Sequence, residues 1–571
     1  LPEVARQQPR DIEEWRLGIE LGEHAEAPVE SPPRSPDEQP FERLERAVYV
    51  VTVERAAWLV LAVLALATRL VALDLRPLGP DEAREALLEL ELAARGLESA
   101  AQHAAPLLSW VPLGGSLVFS VFGASDFTAR LIAALGGLLL AGSAFTLRPY
   151  VGRAGAIAFA ALLVISPTFT YLSRSGDWHI VMLGLVMIAF VLTFRTMRRP
   201  TPVRAATPGC VAGLALAADP AALSIVAIVA AILAMIGIWD AVARGNGVLR
   251  LKVWWERRRS TVVLFAVTTV AVWLTLSTAV FSDSIFLVLV ESARSNLQGL
   301  ADPGYGAAVR FYAPMLGFYE FLIALLAVAG LVAMIARRGW SRFSFACVAW
   351  MLLALAVYPL VAARHPSSVV LMLLPMALVA ALGVDHLERT RAWPSVRVAI
   401  AVLGAVGLYV QVLTNFVYAA PDAGAAPWAR HALLFWRVPA TTDRARTECV
   451  QALRAMRDTD ASAFVPDSMP AMRWYLRSLA RADKPDDANI SVAPPGATSA
   501  AQATVLEERY EFGLEESWTP DLGSLDLAAA LKFFFTARAW SEVKLREAAI
   551  SSRTRTAAGA PTIILTPPPQ P

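Results

Sequence analysis

Eleven apolar runs, all but the shorter one at 206–218 close to the length of a bilayer crossing, recur along most of this chain. They fall near 56–73, 129–147, 154–172, 179–196, 206–218, 221–239, 261–281, 315–336, 343–362, 369–386 and 398–417. A hydrocarbon layer of roughly 30 Å takes about 20 residues as a helix, because backbone amides inside lipid must be paired within their own segment. Runs of this length and number leave no soluble architecture open. With 56% hydrophobic residues and a mean hydropathy of +0.50, the chain is read as a polytopic α-helical membrane protein.

Loop charge then sets the orientation. Arg148 and Arg153, then Arg198, Arg199 and Arg204, then Arg250, Lys252 and Arg257–Arg259, then Arg337, Arg338 and Arg342, then Arg389, Arg391 and Arg397 crowd five alternate connections. All five face the cytoplasm if the stretch 106–122 lies along the outer interface. Pro112 and Gly114-Gly115 interrupt that stretch, so it is expected to be interfacial. The expected topology is eleven spans plus interfacial helices, N-terminus inside and C-terminus outside. Residues 1–48 are polar, with Pro32-Pro33-Arg34-Ser35-Pro36 at their centre, and read as a disordered cytoplasmic tail. The transmembrane domain is expected over 49–417.

Three outer segments are substantial: 74–127, 282–314 and 418–571. In the last, helical periodicity over 443–457, at Met472–Arg477 and over 526–540 alternates with strand-like Ala463–Val465, Ile490–Val492, Thr504–Leu506 and Ile563–Leu565. That alternation predicts a C-terminal extracytoplasmic α/β domain. Cys210, Cys347 and Cys449 are isolated, the six histidines are scattered, and no metal-ligand spacing follows. A divalent metal is compatible with the outer acids but not indicated, and nothing in the chain suits a nucleic acid.

The outer segments hold the candidate chemistry. Asp81 and Glu82 stand just beyond the first span, where desolvation makes a carboxylate costly. The bland reading is a helix N-terminus, with acids complementing the free amides. The functional reading is a base that takes the proton of an acceptor hydroxyl. Arg364 and His365 lie at the outer end of the run 343–362. The bland reading is a side chain snorkelling to the interface, but the other short outer loops carry few basic residues, and an arginine there suits a phosphate. Ser173-Arg174-Ser-Gly-Asp177-Trp-His179 forms another tight outer loop. There Arg174 and Asp177 could be a local ion pair, and His179 an interfacial histidine. His103 stands at the entrance of the 106–122 stretch.

At these residues the sequence resembles the GT-C superfamily of membrane glycosyltransferases that use polyprenyl-phosphate sugars. The likeness rests on Arg-Pro-Leu-x-x-Asp81-Glu82-Ala, Pro106-Leu-Leu…Phe122-Gly-x-Ser-x-Phe-x-x-Arg130-Leu, Ser166-Pro…Ser173-Arg174 and Arg364-His-Pro…Leu374-Pro375. Within the superfamily it is most similar to a prokaryotic group of flippase-activity-associated proteins, which also carry Trp-Tyr-Leu-Arg in the outer tail, here Trp474–Arg477. The resemblance implies a prokaryotic cytoplasmic membrane and an inverting sugar transfer. It implies Asp81 as base with Glu82 beside it, and donor-phosphate binding near Arg364 and His365, with Arg174 as a further candidate. His103, Asp177 and His179 are the expected substrate contacts. The expected partners are a polyprenyl-phosphate sugar, membrane lipid and a glycan, lipid or protein acceptor. Two positions depart from the pattern: His179 stands where relatives carry an aspartate, and His103-Ala-Ala-Pro106 where they carry His-Gly-Pro. The first outer loop carries neither a Trp-Trp-Asp nor an Asp-x-Asp motif, which counts against an oligosaccharyltransferase. A second reading is a non-catalytic partner of a lipid-linked-sugar flippase. A secondary transporter is disfavoured, since no acids fall mid-span.

Overall fold

The computed structural model describes residues 53–76, 78–103, 109–198, 201–219, 221–243, 247–281, 312–313, 315–336, 340–361, 368–390, 393–417, 462–465, 470–483, 490–493, 505–514, 526–536 and 545–553. The helices are α1 Val53–Leu70, α2 Pro80–His103, α3 Val111–Phe122, α4 Asp126–Ile165, α5 Pro167–Arg174, α6 His179–Arg198, α7 Pro202–Leu216, α8 Ala222–Ala243 and α9 Gly247–Phe281. After a π-helical turn at Met315–Tyr319 come α10 Phe321–Ala336, α11 Arg342–Val361, α12 Val369–Glu388 and α13 Trp393–Val412, the last extended by a second π-helical turn at Leu413–Val417. The C-terminal region holds β1 Ser462–Phe464, α14 Pro470–Tyr475, β2 Ala480–Arg481, β3 Ile490–Ala493, β4 Val505–Leu514, α15 Leu527–Thr536 and β5 Leu545–Arg553.

Every apolar run read from the sequence falls largely on a helix. Among the described residues, six helical segments are long and apolar enough to cross a membrane: Asp126–Ile165, His179–Met197, Arg259–Leu276, Arg342–Pro359, Val369–Glu388 and Pro394–Val417. The first of these has 40 residues, about 60 Å of helix, or twice the hydrocarbon thickness. It contains the predicted run 129–147 and the first part of 154–172, parted by Gly152 at φ 74° and ψ 180°. Only glycine takes that conformation readily, and the Asp385 carboxylate occupies the place where a Cβ would stand. The predicted run 154–172 is likewise interrupted, at Ser166-Pro167. Pro167 cannot continue the hydrogen-bond ladder, and the buried Glu320 carboxylate accepts from Ser166 Oγ (2.6 Å) and Thr168 N (2.9 Å) at the break.

Helix α12 is the centre of the bundle. Residues Val369–Val384 are all buried, as expected of a helix that is apolar all round. It packs against α4, α10 and α11. Its approach to α10 is through Gly383 and Gly330, where a Cβ on either would strike the other helix's backbone. The 106–122 stretch resolves into α3, whose 12 residues make about 18 Å of helix, too short to cross alone. Pro112 lies within its first turn, and Leu117, Val121 and Phe122 are exposed.

The C-terminal strands form one mixed sheet in the order β2-β1-β3-β5-β4. β1 is parallel to β2 and β3, whereas β5 is antiparallel to β3 and β4. The expected elements at 463–465, 472–477, 490–492, 504–506 and 526–540 correspond to β1, α14, β3, β4 and α15. The short β2 and the long β5 were not legible as strands. The expected helix 443–457 and strand 563–565 lie outside the described residues. Two contacts seat this region on the bundle. Helix α14 packs on α2, and α15 packs Phe534 against Phe318 and Phe321 while its Phe535 carbonyl accepts from Tyr409 Oη at 2.9 Å.

Candidate active site

The site is built on the turn that joins α1 to α2. Helix α1 ends at Leu70, and in the turn that follows Ala72 has a φ of 51°, unusual for a residue with a Cβ. Arg174, buried on α5, holds this exit: Nη1 donates to the carbonyls of Thr68 (3.1 Å) and Val71 (2.7 Å), and Nη2 to that of Ala72 (2.5 Å). Its guanidinium also lies 4.5 Å over the Phe416 ring. The local ion pair between Arg174 and Asp177 considered from sequence is replaced by these bonds, because a helix C-terminus offers carbonyls that need donors.

Helix α2 then opens with Gly79 as N-cap: Ala83 N donates to Gly79 O at 2.8 Å. Pro80 is the first helical residue, where its missing N–H costs nothing, and Asp81 and Glu82 follow. Glu82 folds back to accept the Gly79 N–H at 2.8 Å, half of a capping box. Its carboxylate also receives Arg76 Nη2 at 2.7 Å and Arg130 Nη2 at 2.8 Å, and Gly176 N at 3.3 Å. Burial works against the charge, yet Arg130, Arg76 and the Gly79 amide hold the carboxyl at about 2. Glu82 is therefore held as an anion that organises the turn. Arg130, fully buried, also donates to the carbonyls of Leu73 (3.0 Å) and Arg76 (2.6 Å). Arg76 stacks 4.3 Å above Tyr171.

Asp177 caps α6: its Oδ1 accepts His179 N at 2.9 Å and lies 2.8 Å from His179 Nδ1. The same ring nitrogen lies 3.3 Å from Oδ2 of buried Asp219, whose Oδ1 accepts Ala221 N at 2.7 Å. His179 thus ties together the caps of α6 and α8. Burial, as the largest influence, pushes the Asp219 carboxyl up.

About two turns beyond Glu82, Glu89 is buried against Gly115 of α3. Burial pushes its carboxyl well above the usual range, and among the described residues its Oε2 has no hydrogen-bond partner.

Of the expected site residues, the structure gathers Glu82 with the 175–179 loop through Gly176, and Asp177 with His179. Asp81 is placed as the second residue of α2 and His103 as its last; their side chains lie outside the described residues, as do Arg364 and His365 altogether. Sequence reading missed Asp219, Glu89 and the role of Arg130. The signal for Asp219 was its place before Pro220 at a helix boundary; for Arg130 it was the spacing from Asp126 inside the resemblance motif. Among the described residues no three His, Cys, Asp or Glu side chains group to hold a metal ion.

The Trp474–Arg477 segment was expected to offer its aromatic and cationic groups to a sugar or phosphate, or to pack on its own sheet. Instead it packs against the start of α4, with Trp474, Tyr475 and Leu476 buried and Arg477 exposed. Trp474 Nε1 donates to Asp126 Oδ1 at 2.9 Å, Tyr475 Oη to Asp126 Oδ2 at 3.1 Å, and Arg477 Nη2 to the Ala124 carbonyl at 3.0 Å.

No family model matches the chain, and no curated protein does. Among solved structures, ArnT from Cupriavidus metallidurans bound to undecaprenyl phosphate matches with a TM-score of 0.56 at 15% identity, over 88% of this chain and 99% of that one. The apo state of the same protein matches with a TM-score of 0.53 at 15% identity, over 87% and 98%. AglB, the archaeal oligosaccharyltransferase from Archaeoglobus fulgidus in complex with an inhibitory peptide and a dolichol-phosphate, matches with a TM-score of 0.45 at 13% identity, over 77% and 65%. The likeness to ArnT spans nearly the whole length of that protein, and the chain shares its fold.

Proposed function

We propose that the chain transfers a sugar from a polyprenyl-phosphate donor to an acceptor hydroxyl at the outer face of a prokaryotic cytoplasmic membrane. The observation that carries this reading is the near full-length likeness to ArnT bound to undecaprenyl phosphate. The α1–α2 turn supports it: Glu82 is consumed by two guanidinium groups, and Asp81 beside it is left as the candidate base of this turn. In this reading Asp81 takes the acceptor proton as the new glycosidic bond forms, and the polyprenyl phosphate leaves with the bonding electrons. Arg364 and His365 neutralise the departing phosphate. Arg174, already bonded to the α1 carbonyls, acts mainly as the post that fixes the turn. His103, Asp177 and His179 border the substrate. The C-terminal α/β region supports the site from the outer side, and the eleven-span topology belongs to the same proposal.

One observation favours the second reading, a non-catalytic partner of a lipid-linked-sugar flippase. At the position where relatives carry an aspartate, His179 is bound to Asp177 and Asp219, and Asp177 is committed to capping α6. The test is incubation of purified protein with labelled polyprenyl-phosphate sugars. Transfer or slow hydrolysis, lost in Asp81→Asn, supports the transferase. Undiminished turnover in Asp81→Asn overturns the base assignment, and tight lipid binding with no turnover supports the partner reading.

A further inference from the structure

Between Pro77 and Pro80 the backbone has only two N–H groups, those of Leu78 and Gly79, since proline has none. Gly79 N–H is taken locally, by Glu82 Oε2. Leu78 is fully buried, and its N–H is accepted by Tyr475 Oη at 2.7 Å, from 397 positions along the chain. A buried amide without a partner is costly, so this bond helps to hold the turn, beside the contacts of Arg130, Arg174 and Glu82.

Tyr475 is itself fixed. Its hydroxyl hydrogen goes to Asp126 Oδ2, leaving a lone pair for Leu78. The other Asp126 oxygen takes the indole N–H of Trp474, which is fully buried and stacks near Phe119 with ring centroids 5.9 Å apart. Arg477 lies 4.0 Å over the Trp474 ring. These residues belong to α14 and the turn after it, on the connection between parallel strands β1 and β2.

We propose that Tyr475 is a positioning residue for the Asp81 turn: the C-terminal region latches the backbone that presents the base. The latch couples two parts of the chain at one atom. A disturbance of α14, as on engagement of the β1–β2 edge by an acceptor, reaches Asp81 through the Leu78 amide three residues away. The catalytic part of this inference rests on Asp81 being the base; the latch itself does not.

The experiment uses the full chain in lipid nanodiscs, comparing wild type, Tyr475→Phe and Asp126→Asn. Amide hydrogen exchange of the 73–83 segment reads the latch, and turnover of a labelled polyprenyl-phosphate sugar reads its consequence. Tyr475→Phe keeps the ring and removes the acceptor, so exchange at Leu78 rises about tenfold, as expected for loss of one buried hydrogen bond. The turnover number falls about tenfold, with KM for the donor unchanged, because geometry at the base affects the transition state more than binding. Asp126→Asn, which keeps the hydroxyl but loosens its anchor, gives intermediate values of both. Unchanged exchange in Tyr475→Phe overturns the latch. Raised exchange with unchanged turnover number, or with a rise in KM alone, overturns the positioning role. If the wild type shows no turnover, the transferase reading fails by itself, and the exchange arm still decides the latch.

Discussion

Arg130 Nη2 donates to Glu82 Oε2 at 2.8 Å, and the guanidinium is wholly buried while doing so. Such a pair is strongly destabilising to break from one side, since it leaves an unpaired charge in the interior. Burial opposes the Glu82 charge, but the two arginines hold the carboxyl at about 2, below the ordinary glutamate value of 4.5. A lowered carboxyl pKa gives stability that is complete above pH 4.5 and is lost as the pH falls through 2. This window corresponds to about 3 kcal/mol. Thermal melts in detergent should therefore fall steeply between about pH 4.5 and 2 for the wild type. In Glu82→Gln that loss is already present at neutral pH, at roughly 3–5 kcal/mol, and the steep acid limb is reduced.

Much of this turn was legible. Pro80-Asp81-Glu82 read as a helix N-terminus, and the bland reading of the acids as capping groups describes what Glu82 does. The base reading stays with Asp81 alone as a proposal. What could not be read were the partners of Glu82. Arg76 is near in sequence, but Arg130 stands 48 positions away, and nothing local marks it as buried. The Trp474–Arg477 segment shows the same limit: its amphipathic character was visible, whereas its docking onto Asp126 depends on the packing of distant elements. The spans were legible because hydrophobic length is a local property. The fusion of two of them through Gly152 was not, because Arg148, Pro149 and Arg153 looked like an ordinary loop.

His179 joins two helix caps through one nitrogen, so its removal leaves the Asp177 and Asp219 carboxylates facing the same space. His179→Ala should lower stability at pH 7 by roughly 1–3 kcal/mol. The gap should narrow toward acid pH as the carboxylates protonate, with Asp219, already raised by burial, protonating early. A stability difference that stays constant from pH 7 to pH 4 would show that the ring contributes packing alone.

The proposed topology places the connection between the two halves of α4 in the cytoplasm. Arg153→Cys, introduced in a background with Cys210, Cys347 and Cys449 replaced, should be protected from an impermeant maleimide added to intact cells. It should react in inverted vesicles. Labelling from outside would reverse the topology and move the Asp81 turn away from the outer leaflet.

Gly115 and Glu89 occupy one space. A Cβ on Gly115 would run into the Glu89 carboxylate, so a larger residue on α3 must displace a buried side chain of α2. Gly115→Ala should therefore cost roughly 1–3 kcal/mol. Glu89→Ala vacates that space, and because burial already raises the Glu89 carboxyl, ionisation of this residue opposes folding as the pH rises above its unfolded value. Glu89→Gln, which keeps the shape without the titration, should then be as stable as the wild type or more so at neutral pH. The Gly115→Ala/Glu89→Ala pair should be more stable than the sum of the single changes, by about 1 kcal/mol or more, since the new methyl fills the room left by the carboxylate. Strict additivity in this double-mutant cycle, measured by denaturation in detergent, would show that α2 and α3 do not meet at these residues.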